Sequence, residues 1–266
     1  MTNSKPALIL ERDGFVAIIT NNDAPWNRMN LPFIDELEVL IPELAQDDSV
    51  RAIIIRGAGE EHFSVGMNLM QFAEGAQKKG SPDALLDQRL HVLSMIENLE
   101  KPVIAVMCGY CLGGGLELPL ACHFRFAALE GTKMGLPEMD LGTVPAWGGS
   151  ARLSRCVGRA HALDMILRGK KISGPRALEI GLVNEVWPNN VLQQKALELA
   201  HELAAQPPLA IAGVLNAVVQ SEFAPLPEAI RLERQAVHKT TGTKHQKEGM
   251  MAFIQKRTPD FSGDAL

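Results

Sequence analysis

Hydrophobic and polar positions alternate with two different periods along this chain. Ala7–Arg12 and Phe15–Asn21 are short and β-rich, and Asp13-Gly14 between them predicts a hairpin. After Asn30, which is placed to cap a helix, Pro32 suits a first turn and FIDELEVLIPEL carries helical apolar spacing, with Pro42 expected to kink or shorten it. Val50–Arg56 (VRAIIIR) is a near-continuous apolar run, the pattern of a strand covered on both faces. A glycine-rich loop follows (GAGEEHFSVGMNL), then a helical pattern over Ala84–Leu99. Pro102–Met107 predicts the next buried strand, 114–122 a helix and Phe124–Ala128 a third strand.

Strand and helix thus alternate in the middle of the chain, which predicts an α/β core with a parallel sheet. Gly142–Gly149 (GTVPAWGG) reads as a second loop, and beyond it the strand signal disappears. Segments near 149–157, 158–168, 175–181, 190–206, 208–221, 227–240 and 243–256 all read as helical. The expected division is a core over 1–198 and a helical region over 199–266, ending in a loosely ordered tail, RTPDFSGDAL.

Ile104–Glu117 (IAVMCGYCLGGGLE) concentrates the candidate chemistry. An apolar strand runs into three glycines, and a lone carboxylate follows. Consecutive glycines cost backbone entropy, so keeping them together points to a need for bare backbone. N–H groups at a helix start are unpaired and carry the positive end of the helix dipole. Gly114 opens the predicted helix, and Glu117 sits one turn inside it. An anion-binding backbone beside an acid/base group suggests chemistry on a carbonyl compound.

Composition narrows the field. The 266 residues are 46% apolar with a formal charge of −5, and no Lys/Arg block stands out, which disfavours a nucleic-acid partner. One Tyr and three Trp also give little material for a base-stacking surface. The start, MTNSKPALILERDG, lacks the apolar core of a secretory signal and is not Arg-rich; no apolar run approaches a membrane span. The expectation is a soluble cytoplasmic protein.

Cys108 and Cys111 form a C-x-x-C, with Cys122-His123 nearby. No second C-x-x-C stands at zinc-ribbon spacing and the pair lies in an apolar run, so these read as small core residues and no metal is expected. Ser150 lacks a nucleophile elbow. No G-x-G-x-x-G dinucleotide fingerprint is formed. His62 reads as solvated.

Three blocks together resemble one family. HFSVGMNL is similar to the F-x-x-G-x-D-L loop of the enoyl-CoA hydratase/isomerase (crotonase) superfamily. AVMCGYCLGGGLELPLACHFRFA resembles its A-x-x-G-x-x-x-G-G-G-x-E-L strand–turn–helix, and GLPEMDLGTVPAWGGSARLSRCVG its G-x-P-E-x-x-x-G-x-x-P-x-x-G-G block. ALEIGLVNEVWP resembles the segment that closes the core, so the likeness runs from about Leu8 to about Ala252.

The resemblance implies a crotonase-like spiral of β-β-α units with a C-terminal helical region that serves trimerisation and covers the site. It implies an acyl-CoA substrate, a homotrimer or dimer of trimers, and no cofactor beyond the CoA carried by the substrate. The N–H groups of Met67 and Gly114 would hold a thioester oxygen, and Val65, Gly66, Asn68, Leu69 and Gly113 would line the substrate. Glu117 is assigned to activate water and Glu138 to protonate Cα, a division that implies hydration of a 2-enoyl-CoA. The alternative is another reaction of the same family, a double-bond shift or hydrolysis on a cyclic, branched or aromatic acyl-CoA.

Four positions depart from the commonest pattern. Asn68 stands where Asp is usual, and it can make similar turn hydrogen bonds. Leu136 stands where a polar Gln is found in well-known hydratases. Trp147 replaces a small residue, either walling the acyl pocket, which would favour a short or flat acyl group, or packing outside it. The basic residue before the first helix is missing, and Arg28 is the nearby cation offered to the CoA phosphates.

Overall fold

The computed structural model describes residues 5–222 and 224–264; the outermost residues of both terminal segments discussed above lie outside them. β1 (Leu8–Asp13) and β2 (Val16–Asn21) pair antiparallel across the tight turn at Gly14, whose φ is +56°. From β2 onward the sheet is parallel: β3 (Ala52–Gly57), β4 (Val103–Met107), β6 (Phe124–Ala128) and β8 (Glu185–Trp187) follow in the order β1-β2-β3-β4-β6-β8. β5 (Tyr110–Leu112) and β7 (Lys133–Gly135) form a separate two-stranded parallel sheet.

The apolar strands are covered on both faces, and the period of two divides them. Ile53, Ile55, Val103, Ala105 and Met107 point toward α1 (Leu31–Gln46) and α3 (Pro82–Glu97), sharing a core with Phe33, Ile34, Leu37, Val92, Leu93 and Ile96. Ala52, Ile54, Ile104, Val106 and Phe126 point the other way, onto Leu192, Ala196, Ala200 and Ala204 of α7 (Asn189–Ala204). The alanines at spacing four give α7 a flat face that lies close on the sheet.

Several expectations are corrected. α1 runs past Pro42 to Gln46 without being shortened. Pro42 is exposed, so the Glu38 carbonyl it leaves unbonded lies on the solvent side. Asn30 occupies the N-cap position, but its side chain accepts from Asn68 Nδ2 (2.8 Å) and makes no cap bond. The stretch after Gly149 is not purely helical, because β8 extends the main sheet; at three half-buried residues it is too short to show a period. α2 (Phe72–Lys79), unassigned from sequence, packs its Gly75 against Leu31 and Leu85.

The predicted helices at 149–157 and 158–168 are both present and meet at Gly158, whose φ +78° and ψ 157° are not helical; they are labelled together as α5 (Gly149–Leu167). The boundary drawn between 198 and 199 falls inside α7, whose sheet-facing positions continue to Ala204; sheet-packed structure ends at the turn over 205–207. Beyond it come α8 (Pro208–Ser221), α9 (Leu226–Thr240) and α10 (Lys244–Gln255), after the short α6 (Gly174–Glu179) of the core. The tail is not loose over its described part. Arg51 donates to the carbonyls of Phe261 and Ser262, and His245 packs edge-on against Phe261. Among the described residues no single helix is long and apolar enough to cross a membrane.

Candidate active site

The site is built where β5 turns into α4 (Gly114–Ala121). Gly113 has φ +55° and ψ −127°, a conformation open to glycine and strained for other residues. Its neighbours need bare backbone for a second reason. A Cβ on Gly115 would lie 2.3 Å from the Ser64 carbonyl, and one on Gly66 2.6 Å from the Leu112 carbonyl and 3.2 Å from the Gly114 nitrogen. The 64–68 loop is therefore pressed directly onto the glycine triplet, held by Ser64 N–H to Tyr110 and Leu112 N–H to Ser64 (both 3.0 Å).

This contact brings the Gly66–Met67 peptide beside the Gly114 N–H at the start of α4. Among the described residues neither the Met67 nor the Gly114 N–H donates to an acceptor of the chain. Asn68 shapes the loop as expected of a residue in the Asp position. Its Oδ1 accepts from Met70 N–H and its amide donates to Asn30.

Two carboxyls flank the turn. Glu117 is 2% exposed, and its Oε1 accepts from the N–H groups of Trp147 and Gly149, both at 2.8 Å. Burial pushes its carboxyl from the ordinary 4.5 up to about 7, and the nearby Glu138 adds to the rise. The two N–H donors and the Arg152 charge oppose it.

Glu138 opens a single 3₁₀ turn (Glu138–Leu141) and is half-buried. Its Oε1 stands 2.9 Å from where a Cβ of Gly113 would lie, and its Oε2 is buried without a partner among the described residues. Burial raises its carboxyl as well. Neither group is a solvated surface glutamate.

Trp147 is part of the buried core and packs on the glycine triplet. It is 3% exposed, and its six-membered ring would come within 2.4 Å of a Cβ on Gly114, so the ring rests on the Gly114 Cα. Leu136 is fully buried in the core and adds no polar contact. Val65 is half-buried, while Leu69, Met70, Leu141 and Val144 leave exposed apolar surface on the loops that carry Met67 and Glu138.

Arg28 already has a partner: its Nε and Nη2 bond both oxygens of Asp23. His62 is not simply solvated, since its ring stacks on Trp26 and its Nδ1 accepts from Tyr110 N–H. Cys108, Cys111 and Cys122 are buried, and burial raises all three thiols, Cys108 to about 11 and Cys122 to about 12. No group of three or more His, Cys, Asp or Glu among the described residues is arranged to hold a metal.

Sequence reasoning missed the N–H groups of Trp147 and Gly149 that hold Glu117. The available signal was Gly148-Gly149 just before a helix, which marks a second helix start with free donors. Together the parts offer two unpaired N–H groups for a developing oxyanion and two carboxyls able to exchange protons beside it.

The model of the enoyl-CoA hydratase/isomerase family matches residues 11–264. The chain is 36% identical over 261 residues to a protein of Bacillus subtilis named probable enoyl-CoA hydratase, covering 97% of this chain and 99% of that one. It is 35% identical over 251 residues to the short-chain-enoyl-CoA hydratase of Clostridium acetobutylicum, covering 94% and 95%. The crystal structure of an enoyl-CoA hydratase from Bacillus anthracis superposes with a TM-score of 0.91 at 33% identity, over 97% of this chain and 100% of that one.

Proposed function

The chain belongs to the enoyl-CoA hydratase/isomerase (crotonase) family and has its fold, and from that premise we propose that it adds water to a 2-enoyl-CoA to give a 3-hydroxyacyl-CoA. The observation that carries this reading is a pair of carboxyls at the glycine turn, Glu117 buried and Glu138 half-buried with its Oε1 against Gly113, both raised in pKa by burial. Glu117 takes a proton from water as its oxygen bonds to Cβ. The π electrons shift onto the thioester oxygen, where the Met67 and Gly114 N–H groups hold the enolate charge. Glu138 then delivers a proton to Cα as the enolate collapses. The net change is one water added, and proton exchange restores the two carboxyls.

CoA enters as part of the substrate, and this scheme uses no other cofactor. The Trp147 ring on Gly114 narrows the space next to the thioester and supports a short or flat acyl group; the Clostridium relative bears a short-chain name. Exposed Val214, Val218, Leu226, Ile230, Phe253 and Ile254 on the C-terminal helices support self-association as a trimer or a dimer of trimers. The fully apolar Leu136 favours the second reading, a double-bond shift needing Glu138 alone.

Replacing Glu117 or Glu138 by Gln tests the proposal. Each variant is expected to lose hydration by orders of magnitude while still binding a saturated acyl-CoA. Conversion of a 3-enoyl-CoA without water addition, undiminished in Glu117→Gln, would point to the double-bond shift, and full hydration in both variants would overturn the site.

A further inference from the structure

Glu117 owes its position to the turn over 147–149, and that turn is itself held from behind. Arg152, one helical turn into α5, donates Nη1 to the Trp147 carbonyl at 2.9 Å. Its Nε and Nη2 form a bidentate pair with Glu97 of α3, at 2.9 and 2.7 Å. Both side chains are largely buried, 13% and 21% exposed. Gly148 makes the reach possible: its φ is +90°, and a Cβ there would lie 2.5 Å from Arg152 Nη1. The Trp147 peptide thus has its carbonyl tied to Arg152, while the next N–H donors on either side, Trp147 and Gly149, point at Glu117 Oε1.

Arg152 and Glu97 line a cavity of about 520 Å³ between the core and α8, and Glu117, Glu138, Met67 and Gly114 do not line it. The other charged or titratable side chains on that cavity are His123, Arg125, Arg155, Cys156, Glu222 and the buried Cys122. On the side of Glu117 the groups that act on it are Glu138, the Trp147 and Gly149 N–H groups, and Arg152 itself.

We propose that Arg152, oriented by Glu97, is a positioning residue for the reaction: it fixes the 147–149 turn that aims two N–H groups at Glu117, and it places a positive charge behind that carboxylate. The inference rests on Glu117 acting as the base that activates water. Two consequences separate charge from geometry. Removing the cation disfavours the ionised carboxylate, whereas removing Glu97 leaves the cation uncompensated and favours it. A bidentate guanidinium cannot be reproduced by an ammonium, so Lys keeps the charge and loses the aim.

The test is the pH dependence of kcat/KM for hydration of a short 2-enoyl-CoA by wild type, Arg152→Gln, Arg152→Lys and Glu97→Gln, with melting temperature measured on each. Arg152→Gln is expected to lower kcat by roughly tenfold to a hundredfold with KM changed far less, and to move the ascending limb to higher pH by about half a pH unit or more. Glu97→Gln moves the limb to lower pH, and Arg152→Lys leaves it near the wild-type position while kcat stays low. Limbs that coincide in all four proteins, with kcat following only the folded fraction, would overturn the inference. If wild type itself yields no hydrated product, the proposed reaction falls instead, so the two failures are told apart.

Discussion

Glu117→Gln is expected to lower turnover by orders of magnitude and at the same time to stabilise the fold. The carboxyl is held at about 7 against an ordinary 4.5, chiefly by burial. Between those values the folded chain binds a proton that the unfolded chain has released. Stability therefore falls as pH rises from about 4.5 to about 7, and the full cost persists above. At 1.36 kcal/mol per pH unit this comes to about 3 kcal/mol above pH 7. A neutral amide removes that cost, because its oxygen still accepts from the Trp147 and Gly149 N–H groups. For a chain of this size about 3 kcal/mol corresponds to roughly 5–10 °C in melting temperature. The assay is a set of thermal melts of wild type and Glu117→Gln from pH 4.5 to pH 8. The variant should melt higher at pH 8, with the gap closing toward pH 4.5. A variant that melts no higher at pH 8, or by a margin independent of pH, would refute the reasoning that burial holds this carboxyl up.

Hydration of a short 2-enoyl-CoA should show an ascending limb in kcat/KM with a midpoint near about 7, the value to which Glu117 is pushed; a limb near 4.5 would mean that the carboxyl is solvated. Gly114→Ala puts a methyl 2.4 Å from the Trp147 ring and should cost about 1–3 kcal/mol, with kcat falling as the N–H is displaced. Adding Trp147→Leu should return most of the stability, and no recovery in the double variant would show that the ring is not the obstacle. Arg51→Ala removes the donor to the Phe261 and Ser262 carbonyls, so the C-terminal tail should become a fast target in limited proteolysis, where the wild type is protected.

Much of this arrangement is legible in the residues. The glycine triplet, the helix opening at Gly114 and the single carboxylate one turn inside follow from backbone chemistry, and the structure places them as read. The alternating faces of Ile53–Ile55 and Ile104–Val106 follow from the period of the strand. The short strands β5, β7 and β8 leave no trace because three residues carry no period, and they exist only through their neighbours in the sheet. The continuation of α1 through Pro42 depends on which face of the helix meets water, which is decided by packing on α3. The same holds at the site. Trp147 could stand inside or outside by sequence, and only the approach of the 147–149 turn to α4 sets its ring on Gly114. Arg152 and Glu97 stand far apart in the chain and share no motif, so their pairing could not be read from spacing.

Isotope labelling tests the hydration claim most directly. The enzyme is incubated with a short 2-enoyl-CoA in ¹⁸O-enriched water, and the product is weighed by mass spectrometry. The account predicts a 3-hydroxyacyl-CoA heavier than the substrate by one water and carrying one ¹⁸O at C3, formed far more slowly by Glu117→Gln. A product of unchanged mass, or free CoA with the label in a released acid, would contradict it.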